Sequence, residues 1–290
     1  MEGQGVYMKK IRIVTDSTAD LPTEICQQLG VEVVPLKIQF GTDTYIDRIT
    51  MDSQQFYEKL TLSSVHPSTS QPSPNDFLEV YERILSEPDV EILSIHISSA
   101  MSGTYQSATI AASMLNQQSA IHIFDSLTAS YGIGALVVAA AQDIQDGKTI
   151  EEIYTHLKQI RSQFHIFFLL DTLEYLKRGG RIGKVSAFVG SLLNVKPILY
   201  VDQEGHVVAK DKARGQKKAL DRLVELIEEE IPSKRIHLQI AISDNRELAE
   251  YLHQLIANRL DVRSMMYISL SPAIGTHTGP GAVAAFVSPA

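Results

Sequence analysis

Short apolar runs alternate along the chain with segments whose apolar residues recur every three or four positions. The runs at residues 10–14, 31–40, 91–97 and 120–124 read as strands, since a strand buried on both faces is apolar throughout. Helical periodicity predicts helices over residues 22–30, from residue 50 onward, over 73–86, and over about 103–116 and 128–146. Pro22, Pro74 and Gly30 sit where helices start and stop, and Ser73 has the chemistry of an N-cap. Residues 41–48 and 66–74 read as loop and turn. Strand–helix alternation of this kind predicts a mostly parallel sheet covered on both faces.

A helix over about residues 151–162 closes this half, and an apolar strand at 165–170 opens the next. Short helices follow around 172–178 and 185–194, then a hairpin whose strands at 197–201 and 206–209 flank a four-residue turn. A helix at 215–230, a strand at 236–243, a helix at 245–259 and strands at 262–269 and 283–287 complete the pattern. The expected architecture is α/β with two domains, 8–162 and 163–290, the first built on a mostly parallel sheet. Residues 1–7 read as a loose extension, without the basic start and apolar core of a signal peptide.

Composition narrows the function classes. The 290 residues are 44% hydrophobic and 21% charged, as in a globular protein with a proper core. The formal net charge of −8 argues against a nucleic-acid partner. The longest apolar stretch, at 133–141, is too short to cross a membrane. The single cysteine, Cys26, reads as a packed helix residue and fits a reducing cytoplasm. The chain has no G-x-G-x-x-G, no phosphate loop and no G-x-S-x-G elbow, and its nine histidines show no paired metal spacing. No cofactor is expected.

Four segments carry candidate chemistry. Ser98-Ser99-Ala100-Met101-Ser102-Gly103-Thr104 leaves a strand and enters a helix, so its hydroxyls and free N–H groups suit an anion. It holds no Lys or Arg, which favours a carboxylate over a polyphosphate. Asp16-Ser17-Thr18-Ala19-Asp20 follows the first strand; Ser17 reads equally as ligand contact or helix entry, and Asp20 as a cap. Thr69-Ser70-Gln71-Pro72-Ser73 reads alone as a turn, and beside a second hydroxyl loop as a head-group site. Gly275-Thr276-His277-Thr278-Gly279-Pro280-Gly281 is a loop whose histidine either donates to a carboxylate or serves as base to a serine. A fifth segment, Asp171 to Gly183, places Arg178 and Arg181 around a glycine turn suited to an acidic partner or a phosphate.

Together, Thr69-Ser70-Gln71-Pro72-Ser73, the stretch from Ser98 to Ala108, the stretch from Leu173 to Ile182 and the Gly275–Gly281 segment resemble the DegV family. The resemblance runs from about residue 11 to 286, with Met101 where the family usually has Leu. It implies a two-domain protein holding one long-chain fatty acid between its domains. By similarity, Thr69, Ser99 or Ser102, and His277 hold the carboxylate, with Ser17, Ser70, Ser98, Gly103 and Thr276 as further ligand-loop candidates. It also implies a separate ATP-dependent fatty-acid kinase as partner, met by Arg178, Arg181 and Arg214. The bound acid is then phosphorylated and carried as an acyl phosphate toward phospholipid synthesis, and the chain itself is no enzyme.

A fatty-acid tail of about fourteen methylenes gains up to ~11 kcal/mol on burial. Each charge-assisted hydrogen bond adds about 1.5–3 kcal/mol, so the tail sets affinity and the hydroxyls set position. Phe167, Leu169, Leu192, Leu193, Ile198 and Phe286 are tail-lining candidates, each explained equally well by core packing. The alternative is a hydrolase or acyltransferase using Ser99 or Ser102 with His277; it needs an orienting carboxylate that the histidine segment lacks. A sugar-kinase-like ATP enzyme is disfavoured by the missing phosphate loop.

Overall fold

In the structure, a computed structural model, residues 9–188 and 195–290 are described. The expected extension at residues 1–7 lies outside them, as do Leu192 and Leu193. The first domain is built on β1 (Lys10–Asp16), β2 (Glu32–Val34), β6 (Val90–His96) and β7 (Ile121–Asp125). These form a parallel sheet in the order β2-β1-β6-β7. Helices α3 (Pro74–Leu85) and α4 (Thr104–Ser113) cover one face through Phe77, Tyr81, Ala108 and Ala111. Helices α1 (Thr23–Leu29), α5 (Tyr131–Gln145) and α6 (Ile150–Gln163) cover the other. The Ser73 hydroxyl accepts from the Asp76 N–H, and Pro74 opens α3.

Three stretches differ from their sequence reading. The apolar run 31–40 is two strands, because Pro35 interrupts it and donates no ladder hydrogen bond. β2 stays in the parallel sheet, and β3 (Lys37–Phe40) enters a separate antiparallel sheet. There β3 pairs with β4 (Asp43–Ile46), inside the expected loop, and with β5 (Ser68–Ser70), inside the expected turn. Helix α2 (Ser53–Leu62) packs Phe56, Tyr57 and Leu60 beneath this small sheet.

The chain passes to the second sheet between α6 and β8 (His165–Leu169). β9 (Val195–Val201) and β10 (Val207–Arg214) form the expected hairpin. With β11 (Arg235–Ile242), β12 (Asp261–Ser269) and β13 (Val283–Pro289), the order is β10-β9-β8-β13-β11-β12. This sheet is mixed, since β11 and β12 are parallel and the other neighbours antiparallel. Helices α8 (Gln216–Glu230) and α9 (Arg246–Ala257) bury one face against Phe167, Leu169 and Ile198. The opposite face turns Ile166, Phe168, Leu199, Val201 and Phe286 toward Ile97, Tyr131 and Leu136 of the first domain, in one shared core. The two-residue period of a strand makes this division. Helices α7 (Glu174–Arg178) and α10 (Pro272–Thr278) pack against each other.

Arg161, 5% exposed, ties the domains together. Its Nη2 donates to the Leu127 carbonyl (2.8 Å) and to the Asp202 carbonyl in the hairpin turn (2.6 Å), and its Nε donates to Leu127 again (3.1 Å). Arg161→Leu leaves these carbonyls without their donor. We expect it to lower unfolding free energy by about 3 kcal/mol in a urea titration.

Candidate functional site

An apolar cavity opens between the second sheet and the loops at the carboxyl ends of the first. Ile166, Phe168 and Leu170 line it from β8, and Ala282, Ala284 and Phe286 from β13. Ile97, Met101 and Ala129 line it from the first domain, and Ala273 and Ile274 from α10. It spans about 890 Å³ when the open space at its mouth is included.

Thr69, Ser102, Arg181 and His277 are among the polar side chains in its wall, with Thr18, Ser130 and Thr278. Thr69 Oγ1 and His277 Nε2 are 2.8 Å apart, joining β5 to α10 across 208 residues. His277 therefore stands on a short helix and not, as expected, on a loop. Ser271 caps that helix and Pro272 opens it. Ser102 Oγ lies 2.9 Å from Thr104 Oγ1. Arg181 is pinned by Nε to the Met101 carbonyl (3.0 Å) and by Nη1 to the Gly179 carbonyl (2.7 Å). It stands in the cavity wall and not solely on an outer docking face.

Burial, and after it the charge of Arg181, depresses the His277 pKa to about 4. The ring is thus neutral at pH 7. Its Nδ1 is buried and has no hydrogen-bond partner. A Cβ on Gly179 would stand 2.1 Å from that atom, so only glycine allows this approach.

Two buried carboxylates of the first domain hold the start of α10. Asp20 accepts from the Ser271 N–H (3.1 Å) and the Ser130 hydroxyl (2.5 Å). Asp47 accepts from the Ala273 N–H (3.3 Å) and the Ser17 hydroxyl (2.6 Å). Asp20 is therefore not the helix cap expected; Pro22 occupies that position before α1. Burial raises Asp20 to about 6 and Asp47 to about 7. Both folded values exceed the unfolded one, so the fold retains protons that the unfolded chain releases. Their contribution to stability is complete below pH 4 and falls as pH rises toward 7. His277 acts in the opposite sense, losing stability as pH falls from 6.5 to about 4. Asp47→Asn should therefore shift the slope of Tm against pH between pH 5 and 7.5 upward, read by calorimetry.

Several expected ligand residues turn out to hold the site's frame. Ser17 accepts from the Leu36 N–H (3.0 Å) besides bonding Asp47. Ser98 is fully buried, donating to the Gly205 carbonyl (2.9 Å) and accepting from the Ala100 N–H (3.2 Å). Thr276 is buried and donates to the Pro272 carbonyl (2.9 Å). Ser70 is exposed on β5, outside the cavity lining. Ser99 and Gly103 line a neighbouring cleft and not the cavity, whereas Ser102 lines both. Asp16 accepts from the Ile97 N–H (3.1 Å) and faces His96 Nδ1 (3.0 Å), which fixes the start of the serine loop.

Among the tail candidates, Phe286 lines the cavity. Phe167, Leu169 and Ile198 do not; they point through the opposite face of the sheet toward α8 and α9. Their neighbours Ile166 and Phe168 take the role, and strand alternation counted from a wall residue would have found them. Arg178 is exposed on α7 and bonds Glu174 (2.7 Å), and Arg214 is exposed at the end of β10.

The serine–histidine alternative lacks its geometry. No carboxylate reaches His277 Nδ1, and Ser102 bonds Thr104. An Asp–His–Ser chain does occur, Asp16–His96–Ser94, but all three are fully buried and offer no approach to a substrate.

The family model described as "Uncharacterised protein, DegV family" matches residues 10–290. The chain belongs to the DegV family. It is 38% identical over 277 residues to a DegV domain-containing protein of Halalkalibacterium halodurans, covering 95% of this chain and 97% of that protein. It is 36% identical over 278 residues to Protein DegV of Bacillus subtilis, covering 94% and 97%. Among solved structures, a DegV family protein from Thermus thermophilus described for fatty-acid binding superposes with a TM-score of 0.90 at 36% identity, covering 97% of this chain and all of that one. DegV of Bacillus subtilis, described as a fatty acid binding protein, superposes with a TM-score of 0.86 at 33% identity, covering 97% and 100%. The two-domain DegV fold, with a parallel first sheet and a mixed second one, is thus shared. No helix among the described residues is long and apolar enough to cross a membrane.

Proposed function

We propose that this protein binds one long-chain fatty acid, tail in the apolar cavity and carboxylate at Thr69, Ser102 and His277. The observation that carries the reading is a mostly apolar cavity whose wall includes Ser102 and the hydrogen-bonded Thr69–His277 pair. The fatty-acid binding described for its DegV relatives supports it. Transfer of the tail supplies affinity. Neutral donors leave one carboxylate oxygen nucleophilic, which a bidentate arginine would not.

On this reading the protein is a cytoplasmic carrier without turnover of its own. It presents the carboxylate to a separate ATP-dependent fatty-acid kinase, docked over Arg178, Arg181 and Arg214, and then carries the acyl phosphate toward phospholipid synthesis. A fixed carboxylate removes the orientational cost of phosphoryl transfer. The test is transfer of labelled phosphate from ATP to protein-bound palmitate by a fatty-acid kinase. Label should appear in acyl phosphate only when both proteins are present. Equal labelling of free palmitate by the kinase alone would refute the presenting role.

A further inference from the structure

The connection between β9 and β10 carries Asp202, Glu204 and His206 at alternate positions. One oxygen of each carboxylate and one nitrogen of the ring lie within 4.8 Å of one another. The backbone of the turn fixes this gathering. Asp202 Oδ1 accepts from the Glu204 N–H (3.0 Å) and the His206 N–H (2.8 Å), and the Gly205 N–H donates to the Asp202 carbonyl (3.0 Å). Gly205 takes φ +78°, and a Cβ there would stand 2.1 Å from Ser98 Oγ, so the turn sits tight against the first domain.

The ring nitrogen sets the chemistry of the cluster. His206 Nδ1 is buried and has no hydrogen-bond partner among the described residues. It faces Asp202 Oδ1 and Glu204 Oε2, each at 3.6 Å. That separation is too long for a hydrogen bond. It is close to the ~3.4 Å between two ligand atoms of a tetrahedral zinc ion with bonds of about 2.1 Å. A nitrogen lone pair turned toward two carboxylates needs a positive charge between them, and one imidazole with two carboxylates is a donor set that zinc accepts. Lys184 meets only part of that need. Its Nζ lies 2.9 Å from Asp202 Oδ2 and 3.4 Å from Glu204 Oε2, and it leaves His206 Nδ1 unmet.

We propose that Asp202, Glu204 and His206 bind a zinc ion, with water as the fourth ligand, and that zinc displaces the Lys184 ammonium. The proposal is independent of the fatty-acid reading. The same turn touches the first domain through the Arg161 bond to the Asp202 carbonyl and the Ser98 bond to the Gly205 carbonyl. Bound zinc therefore braces a contact between the domains and raises Tm.

The experiment titrates the full, tag-free chain with zinc chloride by calorimetry, in the wild type, Glu204→Gln, His206→Ala and Lys184→Met. Glu204 and Lys184 are exposed and the His206 side chain is 41% exposed, so the variants are expected to fold, with a metal-free Tm near that of the wild type. The wild type should bind one zinc ion at this site and gain Tm. Glu204→Gln and His206→Ala should each lose at least about tenfold in affinity, together with the gain in Tm. Lys184→Met should bind zinc about fivefold more tightly, the worth of an exposed ion pair no longer to be broken. Calcium chloride, whose ion takes oxygen ligands, should bind the wild type at least about tenfold more weakly than zinc. No binding of zinc, or equal binding by the wild type and both ligand variants, overturns the proposal and in the second case places the ion on other histidines. Calcium bound as tightly as zinc would mark an acidic surface and also overturn it. Affinity unchanged or lowered in Lys184→Met overturns the displacement.

Discussion

Ala284→Trp abolishes retention of a long-chain fatty acid while the protein stays folded. Ala284 lies on β13, opposite Phe168 in the sheet and two residues from Phe286, and all three line the cavity. Ala284 borders the cavity, so an indole directed into that space costs less than the same growth inside a filled core. It takes the room of several methylenes. Loss of four costs the ligand about 3 kcal/mol, or more than about 100-fold in Kd. Titration with palmitate reads the effect. Ile198→Val is the paired control: Ile198 is fully buried on the other face of the same sheet. It should lose about 1 kcal/mol of stability and leave palmitate affinity unchanged. Equal binding losses in both variants would place the tail elsewhere.

His277→Ala is the second large effect. The ring is neutral near pH 7 and bonds Thr69, and its other nitrogen is buried without a partner. On the proposed reading a carboxylate seated beside the Thr69–His277 pair accepts a hydrogen bond from it. Removal should weaken palmitate by about 10- to 100-fold, the value of one charge-assisted hydrogen bond. Hexadecanol, with the same tail and no charge, should lose far less. A variant that weakens the acid and the alcohol equally has disturbed the cavity and not the head-group site.

Much of the fold was legible from periodicity. The apolar runs at 10–14, 91–97 and 120–124 became parallel strands, and the expected hairpin formed with a connection of residues 202–206, one longer than the four-residue turn expected. The small antiparallel sheet was not legible. Its strands are three or four residues long and β5, Ser68–Ser70, is wholly polar, so only pairing to β3 makes it a strand. The glycine and threonine neighbours of His277 predict a loop there; the helix depends on Ser271, Pro272 and two carboxylates from the other domain. Motif chemistry picked out Thr69, Ser102 and His277, which the structure gathers in one wall. It could not separate Ser102 from Ser98 and Ser99, since hydroxyl direction is set by a loop anchored on Gly205, far along the chain. Phe167, Leu169 and Ile198 misled for a similar reason. In a sheet buried on both faces every residue is apolar, and composition carries no sign of which face meets the ligand.

Occupancy of the apolar cavity by a fatty acid is testable by native mass spectrometry of the purified protein. The intact mass should exceed that of the chain by one long-chain fatty acid, released on denaturation and identified in the extract. Protein of the bare chain mass, which gains nothing after incubation with a panel of saturated and unsaturated fatty acids, would contradict it.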